Sequence, residues 1–107
     1  MVVKAISGIE EYHSIINSDK VVLVEFWAQW CGPCRVMSPV FENMSNGTNG
    51  IQFFKVNIDD EDAISGEIGV RSIPMFVAFQ HGRKIDQFIG ASPPGLETLI
   101  HKVKASA

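Results

Sequence analysis

Positive charge is scarce in this chain: nine Lys and Arg stand against 12 Asp and Glu, leaving a formal net charge of -3 over 107 residues. The basic residues are scattered, so neither nucleic-acid phosphates nor an anionic membrane surface meets a cationic patch. Apolar runs of membrane-spanning length are absent, and Met1-Val2-Val3-Lys4 lacks the charged and hydrophobic regions of a secretory leader. No glycine-rich nucleotide-binding motif is present. His13, His81 and His101 lie in three separate segments without paired metal-ligand spacing, and each reads as an exposed residue on a helix or turn. Cysteine occurs only twice, both times within one four-residue stretch, which suits a reducing compartment better than a disulfide-stapled secreted scaffold. The cytosol is the default compartment, and the sequons Asn43-Met44-Ser45 and Asn46-Gly47-Thr48 are then chance matches.

What is plentiful is apolar side chain. A hydrophobic fraction of 46% in 107 residues fills one core and one domain, spanning residues 1–107. Val2 to Ile6 is a short strand candidate, followed by Ser7-Gly8-Ile9-Glu10, a capping-box pattern that opens a helix ending at Asn17-Ser18-Asp19. Residues 21–28 read as a buried strand rich in β-branched and aromatic residues. Apolar residues then recur at helical spacing from Val36 to Met44, in a helix that Pro39 should bend near Arg35. Ile51 to Ile58 is a further strand, and Asp59, Asp60, Glu61 and Asp62 lead, as a solvated acidic face, into a short helix with Ile64 and Ile68. Met75 to Phe79 and Lys84 to Ile89 pair through a His81-Gly82 turn, and Ser92 caps a last helix that Pro93 begins. Alternating strands and helices followed by a hairpin imply an α/β domain whose mixed sheet carries helices on both faces.

The two cysteines fall at the junction of strand and helix, in Trp30-Cys31-Gly32-Pro33-Cys34. A helix N-terminus offers free N–H groups and a favourable dipole to an anion, so a Cys31 thiolate should form more readily than at an ordinary thiol. Gly32 leaves the turn uncrowded, and Pro33 suits the first helical position, where a missing N–H costs nothing. Cys34 lies about one turn on, within reach of Cys31 for a small disulfide ring or for attack on a mixed disulfide formed there. Three alternatives compete: a zinc half-site, which lacks its other ligands; a structural disulfide, whose short ring restrains little chain; and two inert core thiols. Glu25, inside the apolar strand, either faces solvent through strand alternation or is buried with its proton held tightly.

The segment Phe26-Trp27-Ala28-Gln29-Trp30-Cys31-Gly32-Pro33-Cys34 resembles the active-site segment of the thioredoxin family. Lys55-Val56-Asn57-Ile58-Asp59, Val70-Arg71-Ser72-Ile73-Pro74 and Gly90-Ala91 are similar to further family segments, so the likeness extends over nearly the whole chain. It implies the thioredoxin fold: a central five-stranded mixed sheet in the order 1-3-2-4-5, flanked by four helices. It implies a protein-disulfide reductase that exchanges dithiol for disulfide, with Cys31 attacking the target and Cys34 resolving the mixed disulfide. The family carries a buried aspartate below the second cysteine; Glu25 takes that place with one more methylene, assisting proton transfer, and Lys55 matches a lysine near it. Trp30 would lie beside the exposed thiol as a contact for partners. Ile73-Pro74 would be cis, although residue statistics favour trans, with Ile73 backbone, Pro74, Gly90 and Ala91 lining the place where an extended substrate segment binds. Met75 stands where the family commonly has threonine. No metal or bound cofactor is implied; the Cys31–Cys34 disulfide is the redox group. A thioredoxin reductase would recycle this monomer, with NADPH as the indirect donor. Two alternatives share the surface: a binding subunit without turnover, and an oxidant or isomerase, relatives that usually carry a more polarising residue between the cysteines than Pro33.

Overall fold

The computed structural model describes residues 2–107. In chain order the elements are β1 (Val3–Ala5), α1 (Ile9–Ile16), β2 (Val21–Trp27), α2 (Gly32–Asn46), β3 (Ile51–Asn57), α3 (Asp62–Ile68), β4 (Met75–Gln80), β5 (Arg83–Ile89) and α4 (Pro93–Lys104). They form one five-stranded sheet in the order β1-β3-β2-β4-β5. β3 runs parallel to β1 and β2, while β4 is antiparallel to both β2 and β5. This is the thioredoxin fold implied by the sequence.

The central strand β2 explains why the sheet needs two helical layers. Val21 and Leu23 belong to a cluster closed by Met37 and Phe41 of α2 and by Leu96, Leu99 and Val103 of α4. The alternate residues Val22, Val24 and Phe26 face Tyr12 and Ile16 of α1 and Ile64 of α3. Burial on both faces removes the polar half of the usual strand alternation, so a continuous apolar run is what such a strand requires. Aromatic contacts tie the layers, with Phe41 against Phe53 and Phe76 at ring-centre distances of 5.4 and 5.3 Å.

The ends of the elements differ in places from the sequence reading. Ser7 does not cap α1; its backbone N–H instead donates to Glu11 Oε2 at 2.6 Å, and Gly8, at φ 90°, precedes the helix without a side-chain cap. The acidic stretch before α3 is not only solvated, since Glu61 accepts the Gly8 N–H at 3.0 Å and Asp59 accepts the Trp30 ring N–H at 2.9 Å. His13 has a partner across the fold, Glu67 at 2.7 Å, which joins α1 to α3. Pro33 is the second residue of α2 rather than the first, because Cys31 is the N-cap and Gly32 begins the helix. The helix continues through Pro39 to Asn46. At the hairpin, His81 and Gly82 both have positive φ, 56° and 79°, as a two-residue turn between twisted strands demands. Ser92 caps α4 by accepting the Gly95 N–H at 3.1 Å.

Candidate active site

The chain leaves β2 at Trp27 and enters α2 at Gly32, so the intervening loop delivers both cysteines to one helix start. Cys31 Sγ accepts the Cys34 N–H at 3.1 Å, doing with sulfur what a capping oxygen does elsewhere. The two cysteines form a disulfide with Cα atoms 5.3 Å apart. No acidic side chain stands in the first turn of α2, so nothing within that turn offsets the positive end of the helix dipole.

A second loop forms the opposite wall. The Ile73–Pro74 bond is cis, and the Ile73 carbonyl oxygen lies 3.8 Å from Cys31 Sγ. Gly90 donates its N–H to the Pro74 carbonyl at 3.0 Å, which ties the end of β5 to this loop; Ala91 follows, exposed. The two cysteines are buried, contrary to the expectation of an exposed thiol: Cys31 is 4% and Cys34 1% exposed. Ala28 packs with them, and Trp27, Ile58 and Ile73 close over the group. Trp30 is the exposed element, at 67%, held at its ring nitrogen by Asp59. Gly32 and Pro33 are exposed on the helix turn between the cysteines.

Of its two possible orientations, Glu25 takes the buried one. It is 1% exposed and shares the sheet face of Val21 and Leu23, toward α2. Ser38 of α2 donates its hydroxyl to Glu25 Oε2 at 2.8 Å. Burial drives the carboxyl pKa up from 4.5 to about 7; the Ser38 hydrogen bond and the positive charge of Lys55 oppose that rise, and the negative charge of Glu42 adds slightly to it. Lys55 sits opposite Glu25 in the β2–β3 register, with its ammonium 5.7 Å from the Trp27 ring centre. It is therefore a neighbour of the Glu25 carboxyl.

A cleft of about 290 Å³ opens beside Cys34, lined by Trp27, Ala28, Gln29, Cys34, Arg35, Ser38 and Pro39. A cleft of about 420 Å³ at the β1–β3 edge has no cysteine, histidine or carboxylate in its lining. Ser38 is the site residue that the sequence reading passed over. Its signal was the spacing from Cys34, since residues four apart share a helix face.

The sequence matches the thioredoxin family profile over residues 3–105. The chain belongs to the thioredoxin family. It is 45% identical to thioredoxin of Coprinus comatus over 102 residues, covering 94% of this chain and 96% of that one. Thioredoxin-1 of Schizosaccharomyces pombe is 42% identical over 98 residues, covering 92% and 95%. The crystal structure of Malassezia sympodialis thioredoxin superimposes with a TM-score of 0.91 at 40% identity, covering 95% of this chain and 93% of that one. The protein is a thiol-disulfide oxidoreductase, a disulfide reductase whose redox group is the Cys31–Cys34 pair. Thioredoxins bind no cofactor, and among the described residues no cluster of three or more His, Cys, Asp or Glu is arranged to hold a metal. No described helix is long and apolar enough to cross a membrane.

Proposed function

We propose a division of labour within the redox pair: Cys31 is the attacking thiol and Cys34 the resolving one. The observation that carries this is the asymmetry of their surroundings. Cys31 Sγ accepts a helix N–H and lies beside the Ile73 carbonyl at the loop wall, whereas Cys34 lines the cleft that Ser38 shares. The reduced Cys31 thiolate attacks one sulfur of a target disulfide, forming a mixed disulfide and releasing the other sulfur as a thiolate. Cys34, giving its proton toward Glu25, attacks Cys31 Sγ; the target leaves with both sulfurs reduced, and the two electrons come from the pair. Lys55 biases Glu25 toward its ionised form from across the β2–β3 register. Gly32 and Pro33 fix the turn between the sulfurs.

Trp30, Ile73, Pro74, Gly90 and Ala91 form the rim that receives an extended target segment, with the Ile73 backbone as the pairing edge. The partners are disulfide-containing proteins and a separate thioredoxin reductase, through which NADPH acts indirectly. The protein works as a monomeric single domain in the cytosol, a setting that its sparing use of cysteine supports.

The test is trapping. Cys34→Ser should accumulate mixed disulfides through Cys31, visible as gel shifts that dithiothreitol reverses, because attack proceeds while resolution cannot. Equal trapping by Cys31→Ser would reverse the assignment.

A further inference from the structure

Glu25 is not among the residues lining the cleft that Cys34 borders. Cys34 and Ser38 stand four residues apart on one face of α2, and both line that cleft. The Ser38 hydroxyl reaches from there to Glu25 Oε2 at 2.8 Å. It is the one hydrogen bond recorded to the Glu25 side chain among the described residues. The Glu25 side chain thus spans from β2 to this hydroxyl on α2.

We propose that Ser38 is a positioning residue for the resolving step, holding the Glu25 carboxyl against α2 and linking it to the cleft through which Cys34 loses its proton. The proposal rests on the reading of Glu25 as the proton acceptor. A hydroxyl donates and accepts at once, so a proton can enter at Ser38 Oγ from the cleft as its own passes to Glu25, with no net change at the serine. The other charged groups that act on Glu25 are Lys55 from β3 and Glu42 from α2, while its partner across β4 is the apolar Phe76. Of these, Ser38 is the one that touches both the carboxyl and the cleft.

The experiment is single-turnover reduction of a protein disulfide from about pH 5 to 9, on wild type, Ser38→Ala, Ser38→Thr, Glu25→Gln and the double variant. A hydrogen bond to a charged group is worth about one pKa unit here, so Ser38→Ala should move the apparent pKa of target release up by about one unit. If that pKa starts near 7, about fivefold less carboxylate remains at pH 7 and the rate falls in proportion. Ser38→Thr keeps the hydroxyl and should restore the wild-type profile, while Ser38→Ala should change nothing further in the Glu25→Gln background. An unshifted profile in Ser38→Ala, alongside a flattened one in Glu25→Gln, overturns the role of Ser38 and leaves that of Glu25 standing. A profile that Glu25→Gln does not alter removes both. Equal rate losses from Ser38→Ala with and without the Glu25 carboxyl would also overturn the proposal, since Ser38 would then act through helix packing alone.

Discussion

Glu25 is the residue at which stability and the proposed chemistry oppose each other. Its carboxyl titrates at about 7 when folded and near 4.5 when unfolded, so between those values the folded state binds the extra proton. Stability is therefore greatest below about pH 4.5, as far as this group decides it, falls as pH rises to about 7, and levels off above. The shift corresponds to about 3 kcal/mol, a large share of a small domain's total. Glu25→Gln nearly keeps the shape and the Ser38 contact but removes the ionisation, so it should stabilise the protein at and above neutral pH by up to that amount. Denaturant midpoints across the range check it; parallel pH curves for the two proteins would show that the carboxyl does not titrate in that window. The orientation of Glu25 was not legible from its neighbours, because β2 is buried on both faces and the pattern that tells in from out is missing there. The contact with Ser38 was hidden for a related reason: helix spacing joins Ser38 to Cys34, but only the packing of α2 on β2 brings it to the carboxyl. The cis bond at Pro74 was likewise foreseen through family likeness alone, since local statistics favour trans.

At the scale of elements, strands and helices were legible wherever the apolar period was strong, and their ends were not. Ser7 satisfied the capping pattern in sequence, yet Gly8 precedes the helix and Ser7 donates rather than accepts, because Glu11 one turn on reaches back to its N–H. Two glycines show the same limit in energetic terms. Gly66 lies in α3 and Gly95 in the first turn of α4, and sequence alone treats both as weak helix formers. A side chain on Gly66 would meet nothing, whereas one on Gly95 would run into the Phe88 ring of β5, itself stacked on Phe76 at 6.4 Å. Gly66→Ala should accordingly stabilise by about 0.5–1 kcal/mol through helix propensity. Gly95→Ala should destabilise by about 1 kcal/mol net, as the cost of moving a packed ring exceeds the same propensity gain. Thermal or denaturant unfolding of both variants decides it, and stabilisation by both would mean that α4 docks on β5 more loosely than the ring contact implies.

Across the whole molecule, the fold buries its two cysteines and leaves Trp30 exposed beside them. With Cys31 at 4% and Cys34 at 1% exposure, the disulfide offers little surface of its own, whereas Trp30, the residue before Cys31, stands open at 67%. A net charge of only -3 gives weak long-range steering, so on the proposed function a protein target is recognised through contact with the rim that Trp30 begins. On the same reading a small disulfide meets only the sulfur and the Ile73 wall. Trp30→Ala should therefore lower kcat/KM for a protein disulfide by roughly 30-fold, the effect of losing an aromatic anchor worth about 2 kcal/mol, while a small-molecule disulfide loses less than about threefold. Trp30 also holds Asp59 through its ring nitrogen, so a loop displaced by the substitution could imitate a lost contact. Trp30→Phe separates the two, because it removes the N–H but keeps most of the apolar face. If the rim recognises partners, Trp30→Phe retains most activity on the protein substrate; if the Asp59 tether is what matters, it fails as badly as Trp30→Ala. Equal losses on the large and the small substrate would move the role of Trp30 from recognition to the chemistry of the thiols.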